Sequence, residues 1–425
     1  MSHVVVVGTG YVGLTTGACL AHLGHHVTCA DIDSTKISKL SEGRIPIFES
    51  GLENLVREGL RTGRLHFVVN ARPALAQSDF TFLCLPTPER HDGSADLSYL
   101  QTALETVRDD LRFESIVINK STVPVGTVRF VERVLARPDV GVVSNPEFLR
   151  EGSAVHDFLH PDRVVIGAVD QAVATRVASL YSTLTTRVIT TDPESAELIK
   201  YASNAFLATK LSFVNQIAAL AEAVSANVDD VIAGMGSDKR IGESFLRPGP
   251  GWGGSCFPKD TKSLISIGST SGIDMSLIRS VVEANEERLE QVVDRIEHLS
   301  GSSLKGKKIC LWGLTFKANT DDLRESPALK IATKLISRGA QLSAYDPTVH
   351  DTLSSFPLMF IFGSPLDAAE GASCVVVLTE WDEFKWIDPV LVAARVDSRT
   401  VLDARGILNR SEWQDNGFTV SGIVC

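Results

Sequence analysis

Short apolar runs alternate with helix-like segments along the first third of the chain. Residues 4–7 form a β-branched run typical of a buried parallel strand, residues 14–23 have a helical pattern, and residues 27–30 are strand-like again. Further strand-like runs follow at residues 80–85, 116–119 and 140–143. Strands that alternate with helices predict a doubly wound α/β domain over residues 1–192.

The middle of the chain has the pattern of helices. No glycine or proline interrupts residues 194–233, where Ala and Leu dominate, so one long helix is predicted over residues 194–234. It is hydrophobic nearly all round, which places it in a core or at a subunit interface. With a second helix from about residue 275 to 299, it predicts a helical middle domain over residues 193–300.

The last third repeats the order of strands and helices. Strands are predicted at residues 309–313, 342–345, 374–378 and 400–403, and a helix at residues 326–338. We therefore predict a second Rossmann-like domain over residues 301–425. The predicted fold class is α/β, with two Rossmann-like doubly wound domains joined by a long central helix and a helical middle domain.

Composition narrows the functional classes. The chain has 425 residues, of which 44% are hydrophobic and 22% charged, with a net charge of −11. Such a charge argues against a broad nucleic-acid surface, and no apolar run is long enough to span a membrane. The seven cysteines are scattered and form no C-x-x-C pair, so we predict neither disulfides nor a metal site. The chain has no signal-peptide pattern, and a reducing cytoplasm is the expected location.

A dinucleotide fingerprint follows the first predicted strand. Gly8, Gly10 and Gly13 form G-x-G-x-x-G between a strand and a helix, and Asp31 ends the next strand. We expect Gly8 to make the tight turn, Gly10 to meet the pyrophosphate and Gly13 to allow close packing. Asp31 would accept the ribose hydroxyls and repel a 2′-phosphate, so the predicted cofactor is NAD.

Three loops after predicted strands are candidate walls of a site, because ligands bind at the carboxyl ends of parallel strands. They cover residues 86–88, 121–126 and 145–152. If Pro146 opens a helix, Glu147 and Glu151 share a face. The alternative is helix capping, with Asn145 as N-cap and Glu147 in the first turn.

Lys200 and Asn204 lie four residues apart on the long helix and would share a face. A cation there could stabilise an oxyanion or hold a water molecule. The alternative is a lysine whose ammonium reaches solvent.

Cys256 lies in a glycine-rich run, P-G-W-G-G-S-C-F-P-K-D. Such a run lets a ligand or backbone approach closely, and Pro258 can begin a helix. A thiol just ahead of a helix N-terminus is favoured as thiolate, and Asp260 would lie beside it. We therefore predict a nucleophile with a neighbouring carboxylate, the alternative being a buried, inert cysteine.

Cations also follow strands in the last third. Lys317, Arg324 and Arg405 stand near predicted strand ends, where a second nucleotide could bind without the glycine fingerprint. The alternative for each is a solvated surface charge.

Taken together, six motifs resemble the UDP-glucose/GDP-mannose dehydrogenase family over essentially the whole chain. They are G-T-G-Y-V-G-L, S-T-V-P-V-G-T, N-P-E-F-L-R-E-G, L-I-K-Y-A-S-N-A-F-L-A, G-W-G-G-S-C-F-P-K-D and F-K-A-N-T-D-D-L-R-E-S-P. Within the family the chain looks most like the branch that acts on UDP-glucose. Two departures are small: Trp252 stands where Phe or Tyr is frequent, and Arg247-Pro248 occupies a variable position.

The resemblance implies a four-electron oxidation in which a sugar-nucleotide hydroxymethyl group becomes a carboxylate and two NAD are reduced. Cys256 would form a thiohemiacetal and then a thioester, with Asp260 and a water molecule as base. Lys200 and Asn204 would stabilise the oxyanion, Glu147 would assist thioester hydrolysis, and Thr122 would hold water or the nicotinamide ribose.

Further contacts are implied by the same resemblance. The implied NAD contacts beyond the three glycines are Tyr11, Val12, Asp31, Lys36, Thr87, Thr122, Glu151, Lys259 and Arg324. The implied substrate contacts are Glu147, Phe148, Leu149, Arg150, Glu151, Lys200, Asn204, Arg240, Phe245, Leu246, Arg247, Pro248, Gly249, Gly253, Lys317 and Arg405. Arg240 would reach the neighbouring subunit, so a homodimer or larger homo-oligomer is expected.

Three other functions stay open on the sequence. The same chemistry could act on GDP-mannose or a UDP-N-acetyl-hexosamine. A two-electron hydroxyacid dehydrogenase would share the first domain and long helix but leave Cys256 without a role. A nucleotide-binding sensor without catalysis would have no need for a thiol.

Overall fold

The computed structural model describes residues 1–90 and 92–422. The chain forms two compact units: residues 1–203 with 262–273, and residues 204–261 with 274–425. Two of the three boundaries, at 203/204 and 261/262, fall inside helices, and the residues of the predicted middle domain are divided between the units. The predicted three-domain boundaries stay a prediction.

The first unit is built on an eight-stranded sheet with the order β3-β2-β1-β4-β5-β6-β7-β8. Neighbouring strands are parallel except β6 and β7, which are antiparallel. The strands are β1 (His3–Val7), β2 (His26–Ala30), β3 (Leu65–Val68), β4 (Phe80–Leu83), β5 (Ile116–Asn119), β6 (Gly141–Ser144), β7 (Arg163–Gly167) and β8 (Arg187–Thr191).

Helices flank this sheet because its strands are apolar on both faces, as in β4 and β5, which are buried throughout. They are α1 (Tyr11–His22), α2 (Ser34–Ser41), α3 (Leu52–Arg61), α4 (Arg72–Leu75), α5 (Ser98–Val107), α6 (Thr127–Leu135), α7 (Ala154–Leu159) and α8 (Gln171–Ala178), with 3₁₀ turns at Arg108–Asp110 and Ser179–Tyr181. The strand order reverses between β1 and β4, the point where open α/β sheets bind ligands.

The predicted 194–234 helix is wrong in its length. Helix α9 covers Pro193–Ala223, and α10 begins anew at Val228–Gly236. Ser225 adopts a left-handed φ of 57°, and the Asn227 side chain caps α10 by accepting from the amide of Asp229 at 2.9 Å. A capping asparagine between apolar stretches ended the helix where no glycine or proline signalled it.

The helix considered at Pro146 does not form, so the shared helical face of Glu147 and Glu151 is a wrong prediction, and so is the capping alternative. Residues 145–150 are irregular, and α7 begins only at Ala154. Asn145 is no cap, since its amide donates to the Val165 carbonyl at 2.7 Å. The Glu147 carboxylate instead accepts from the amide of Leu149 at 2.7 Å, a local bond that competes with helix formation.

The second unit contains a six-stranded parallel sheet with the order β11-β10-β9-β12-β13-β14. Its strands are β9 (Lys308–Trp312), β10 (Gln341–Tyr345), β11 (Met359–Ile361), β12 (Cys374–Val377), β13 (Thr400–Asp403) and β14 (Thr419–Gly422). The order repeats the reversal of the first sheet, so the predicted fold class of two Rossmann-like domains is confirmed.

The remaining helices complete the chain. They are α11 (Phe257–Thr270), α12 (Ser276–Leu299), α13 (Pro327–Ser337), α14 (Pro365–Ala369), α15 (Pro389–Ala393) and α16 (Arg410–Asp415), with a 3₁₀ turn at Asp382–Trp386. Over residues 1–90 and 92–422, none of the helices combines the length and apolar character that a membrane crossing requires.

A buried carboxyl group on α9 holds the start of α6. Glu197 is 2% exposed and accepts from the amides of Gly126 at 2.6 Å and Val128 at 3.0 Å. It therefore takes the capping role at a helix whose N-cap is a glycine. Burial raises the pKa of Glu197 to about 7, although these amides favour the carboxylate.

We predict that Glu197→Gln flattens the pH dependence of stability between about pH 5 and 7. A carboxyl whose pKa is raised on folding stabilises the native state fully below its unfolded pKa of 4.5. That contribution is lost as the pH rises through about 7. Denaturant titrations at several pH values should show the wild type losing more unfolding free energy than the variant over this interval.

Glu194→Gln is the matched control on the same helix. A bond to its own backbone amide and the Arg129 guanidinium lower the pKa of Glu194, so its effect on stability belongs to more acid pH. Parallel pH profiles for the wild type and Glu197→Gln would contradict the titration assigned to Glu197.

Candidate active site

The turn from β1 into α1 brings three glycines together, each with a separate reason to lack a side chain. Gly8 adopts φ +95°, and a Cβ at Gly13 would lie 1.9 Å from the Gly8 carbonyl oxygen. A Cβ at Gly10 would instead meet nothing within 4 Å. Gly10 is the N-cap of α1 and supplies no side-chain cap, so space and backbone amides are left for a phosphate at this helix end.

Asp31 ends β2 beside this turn and is held as an anion. Its Oδ2 accepts from the Thr9 amide at 2.9 Å and hydroxyl at 2.6 Å, and from Lys36 Nζ at 2.9 Å. Burial opposes ionisation, but these bonds and one from the Asp33 amide lower the pKa of Asp31 to about 2. A permanent carboxylate here suits ribose hydroxyls and repels a 2′-phosphate, so the residues present fit NAD.

Two of the predicted loops are bonded to each other. Thr87, after β4, donates its hydroxyl to the backbone carbonyl of Thr122, after β5, at 2.9 Å. Tyr11, on α1, pairs its hydroxyl with the carboxylate of Glu49, and the amide of Gly152 donates to that carboxylate at 2.7 Å. These hydrogen bonds join the loops after β4 and β5 to each other, and the loop after β6 to Glu49, which also bonds α1.

Lys200 and Glu147 form a buried ion pair. Lys200 is 3% exposed, and its Nζ donates to Glu147 Oε1 at 2.7 Å and to the Glu147 carbonyl at 2.8 Å. The interpretation of Lys200 as reaching solvent is therefore wrong. Burial raises the pKa of Glu147, but the charge and hydrogen bond of Lys200, the Leu149 amide and the charge of Lys120 together outweigh it, and the pKa lies below its ordinary value.

In the second unit, the glycine run ahead of Cys256 fits tightly against its neighbours. A Cβ at Gly253 would lie 2.0 Å from the Glu325 carbonyl oxygen, and one at Gly254 would lie 2.8 Å from the Phe316 ring. Cys256 directly precedes α11, as the sequence predicts, although the helix begins at Phe257, one residue before the proline.

Cys256 differs from the other described cysteines. Cys19, Cys29, Cys84, Cys310 and Cys374 are buried, whereas Cys256 is partly accessible. Burial raises the pKa of each of those five thiols, for instance that of Cys19 to about 12. Cys256 is therefore not the buried thiol of the alternative interpretation, and its reactivity stays a prediction. Cys425 lies outside the described residues.

Asp260 lies on the first turn of α11 and is completely buried. It accepts from the amide nitrogen of Asn204 at 2.6 Å and from Lys259 Nζ at 2.8 Å. Its backbone amide donates to the Cys256 carbonyl at 2.9 Å, which places Asp260 one helical turn after Cys256. The Asn204 amide thus orients Asp260, a partner that the sequence analysis did not assign to it.

Gly249 ends the run Phe245–Gly249 (F-L-R-P-G) in the second unit and is closely packed there. Its amide donates to Asn215 Oδ1 at 2.8 Å, and its carbonyl accepts from Arg288 Nε at 3.0 Å. A Cβ there would lie 3.2 Å from Arg405 Nη1. Arg405 Nε donates to the Leu378 carbonyl at 2.8 Å and contacts Glu380 at 3.1 Å, so it is no solvated surface charge.

The second sheet also has an acidic residue where its strand order reverses, but this carboxylate is buried and hydrogen-bonded to protein groups. Asp346, after β10, accepts from the amides of Leu314 and Thr315 at 2.7 and 3.1 Å, and from Trp381 Nε1 at 3.2 Å. It is completely buried, whereas the Asp31 side chain is 12% exposed. The second sheet therefore cannot hold a ribose in the way Asp31 can.

Family profiles match the chain segments that form each of the two sheets and the segment that links them in sequence. Three profiles of the UDP-glucose/GDP-mannose dehydrogenase family match: the NAD binding domain at residues 2–185, the central domain at 194–287 and the UDP binding domain at 310–410. The chain belongs to the UDP-glucose/GDP-mannose dehydrogenase family.

Individual members of this family are similar over nearly the full length. A UDP-glucose 6-dehydrogenase from Rhizobium meliloti is 42% identical and covers 99% of both chains. The UDP-glucose 6-dehydrogenase YwqF of Bacillus subtilis is also 42% identical, over 96% of this chain and 94% of its own. The structure of a UDP-glucose dehydrogenase from Pyrobaculum islandicum has a TM-score of 0.92 at 36% identity, covering 100% and 98%.

Other residues implied by the family lie in varied surroundings. Arg163 stacks on the Phe148 ring at 3.8 Å, and Arg150 pairs with Asp157 at 2.6 Å. In the second unit, Leu246 and Pro248 are buried, and Phe245 has φ 61°. Arg247 donates to the Gly406 carbonyl at 3.1 Å, and Lys317 Nζ lies 5.4 Å from the Phe316 ring.

Two implied arginines are largely exposed. Arg240 pairs with Asp238 at 2.6 Å and Arg324 with Asp322 at 2.8 Å, each within its own chain segment. Val12 and Glu151 are partly buried in the first unit. The ligand contacts of these residues stay predictions.

Several buried polar groups were not predicted from the sequence. Lys120, Asn145 and Tyr181 are joined in the first unit: Lys120 Nζ donates to Asn145 Oδ1 at 3.0 Å and the Tyr181 hydroxyl donates to the same oxygen at 2.6 Å. In the second unit, Asn285 holds the backbone of Trp252 by two bonds. A polar residue directly after an apolar strand, as at Lys120, was the available signal.

We predict that Gly10→Ala and Gly13→Ala separate cofactor binding from folding. Gly10→Ala should leave thermal stability unchanged but weaken NAD binding by ~10-fold or more, because the added methyl group enters the open cradle. Gly13→Ala should cost ~1–3 kcal/mol or more of stability, because its Cβ has no room. Thermal unfolding without nucleotide and calorimetric NAD titration measure the two effects.

The two glycines serve as controls for each other. Unchanged NAD affinity in Gly10→Ala, or full stability in Gly13→Ala, would contradict the roles assigned to this turn.

Proposed function

We propose that this chain oxidises the C6 hydroxymethyl group of UDP-glucose to a carboxylate, giving UDP-glucuronate. The observation that carries the chemistry is that Cys256 is partly accessible and that Asp260, whose carboxylate is held by Asn204 and Lys259, follows it by one helical turn. The substrate is inferred from the relatives with about 40% identity, each of which is a UDP-glucose 6-dehydrogenase. A dehydrogenase of this kind uses NAD, which accepts one hydride per molecule when bound.

The overall reaction balances with water as the oxygen donor. One alcohol, two NAD⁺ and one water yield one carboxylate, two NADH and three protons. Two hydrides therefore leave the same carbon, and the second can leave only after a nucleophile has added to the aldehyde. Without that addition, the trigonal aldehyde has no alkoxide to drive hydride loss.

Cys256 provides the nucleophile. Its Sγ forms a bond to C6 of the aldehyde, and the aldehyde oxygen becomes the hydroxyl of a thiohemiacetal. Loss of the second hydride and of the hydroxyl proton leaves a thioester. Asp260, acting with a water molecule, accepts protons in these steps, and Asn204 and Lys259 hold its carboxylate in place.

Hydrolysis of the thioester needs an activated water and a stabilised oxyanion. Glu147 supplies a carboxylate that is already ionised, and Lys200 supplies the ammonium for the oxyanion. Water attacks C6, the C–S bond breaks, and the thiolate is regenerated. Thr122 is proposed to hold this water or the nicotinamide ribose.

Ligand contacts follow the family motifs. We propose that NAD lies on Gly8, Gly10, Gly13 and Asp31. The nucleotide sugar is proposed to contact Phe245–Gly249, Gly253, Lys317 and Arg405. We further propose a homodimer or larger assembly in which Arg240 serves the neighbouring subunit, in the cytoplasm.

The second candidate function is the same oxidation of a different nucleotide sugar, and similarity to a solved structure supports it. A UDP-D-ManNAc dehydrogenase from Pyrococcus horikoshii has a TM-score of 0.86 at 29% identity. The identity is lower than to the UDP-glucose enzymes, so UDP-glucose is the preferred substrate. GDP-mannose and UDP-N-acetyl-hexosamines are the comparison substrates.

We predict that limiting UDP-glucose gives about two NADH per sugar, measured by absorbance with excess NAD. Cys256→Ser should lower the rate of the two-NADH reaction by more than ~100-fold, because the thioester route needs the thiol. Ser255→Ala is the matched control: its hydroxyl lies 3.6 Å from the Cys256 sulfur, and the variant should keep the yield of two.

The other possible outcomes of this NADH measurement point to different functions. One NADH per sugar, or full turnover in Cys256→Ser, would overturn the covalent route and support a two-electron dehydrogenase. Two NADH with GDP-mannose or UDP-N-acetylglucosamine and none with UDP-glucose would keep the chemistry and replace the substrate. No turnover with any sugar nucleotide would support a binding protein.

A further inference from the structure

Lys120 is a buried ammonium for which the proposed reaction has no use. It follows β5 directly and is 5% exposed. Among the described residues, the one hydrogen-bond acceptor recorded for its Nζ is Asn145 Oδ1, at 3.0 Å. An ammonium has three donors, and its burial is costly unless charge or hydrogen bonds compensate. Beyond this bond, the negative charge of Glu147 favours the ammonium form of Lys120.

The groups that face Lys120 come from every element packed around it. They are Cys84 after β4, Glu147 after β6, Tyr181 in the 3₁₀ turn Ser179–Tyr181, and Lys200 on α9. The Cys84 thiol and the Tyr181 phenol are buried and neutral, because burial raises the pKa of Cys84 to about 12 and that of Tyr181 higher still. Among these groups of the described residues, Glu147 is thus the one anion, and Lys120 and Lys200 are the two ammonium groups.

Asn145 connects Lys120 to Glu147 through the backbone. Its side chain accepts from Lys120 and Tyr181 and donates to the Val165 carbonyl, so the amide is fixed in one orientation. Glu147 lies two residues further on. Asn145 therefore links the Lys120 ammonium to the chain segment that carries Glu147.

We propose that Lys120 is a positioning residue for Glu147: through Asn145 it fixes the segment that carries this carboxylate, and its ammonium supplies a second positive charge that keeps Glu147 ionised. The inference rests on the proposed function for the role of Glu147 in hydrolysis. Its physical content, the charge state of Glu147, does not depend on any substrate.

The direction of the electrostatic effect agrees with this role. Burial raises the pKa of Glu147, and Lys200 and then Lys120 lower it again. Burial lowers the pKa of Lys120 to about 8, so its ammonium persists at neutral pH and below. Over that range both positive charges act on Glu147, and removal of one of them should raise the pKa of Glu147.

The structure offers a matched pair of variants that separate charge from hydrogen bonding. Lys120→Gln keeps a donor toward Asn145 but removes the positive charge. Tyr181→Phe removes the other donor to Asn145 Oδ1 and keeps every charge. Lys120→Arg retains a positive charge and serves as the rescue variant.

The first readout is the acid titration of Glu147 without any ligand, taken from infrared difference spectra against Glu147→Gln. Lys120→Gln should raise the titration midpoint by about one pH unit, as expected for the loss of a nearby opposite charge. Tyr181→Phe should leave it unchanged, and Lys120→Arg should return it toward the wild-type value.

The second readout is the pH profile of kcat with UDP-glucose. The acid limb should move to higher pH by about one unit in Lys120→Gln, so that kcat at pH values below the wild-type midpoint falls by up to about 10-fold while KM changes by less than about 2-fold. A merely structural lysine would lower stability in Lys120→Gln without shifting either midpoint, and that result would overturn the proposal.

The experiments distinguish a failure of the proposed function from a failure of the inference about Lys120. If the wild type does not oxidise UDP-glucose but the infrared midpoint still moves in Lys120→Gln, the proposed function is wrong and the inference about Lys120 stands. If Lys120→Gln does not fold, Lys120→Met, which removes the charge without burying a new amide, takes its place: an unmoved Glu147 midpoint would overturn the inference, and a raised midpoint would support it.

Discussion

The buried ion pair between Lys200 and Glu147 is the interaction on which the first unit's site depends. It joins the loop after β6 to helix α9 through two hydrogen bonds of 2.7 and 2.8 Å. Loss of either partner alone would leave an uncompensated buried charge, at a cost of about 3–5 kcal/mol. The same pair keeps Glu147 ionised, so the constraint that orders the loop also prepares a base.

The features of this protein that could be predicted are those that depend on residues close together in the sequence. The glycines of the first turn, Asp31 at a strand end and Cys256 just ahead of a helix were all assigned from short motifs, and the strands and helices that carry them are present. Tight turns, strand ends and helix starts depend on neighbours within a few residues, which a sequence displays directly.

The parts that escaped prediction depend on residues far apart in the chain. Lys120, Asn145 and Tyr181 meet because β5, β6 and a turn after α8 end near one another, which no local pattern records. Asn145 was considered as a helix cap for the same reason: its true partners, beginning with the Val165 carbonyl, belong to another strand. The predicted central helix was too long because the break before α10 contains no glycine or proline, and the Asn227 side chain caps α10 instead.

In the proposed reaction, Cys256 carries the sugar as a thioester that Glu147 helps to hydrolyse. The intact mass of Glu147→Gln after mixing with UDP-glucose and NAD, followed by peptide mapping, would reveal this intermediate. We expect a covalent adduct of the oxidised sugar nucleotide on the peptide that contains Cys256, and none in Cys256→Ser. Unmodified protein alongside continued formation of two NADH per sugar would contradict it.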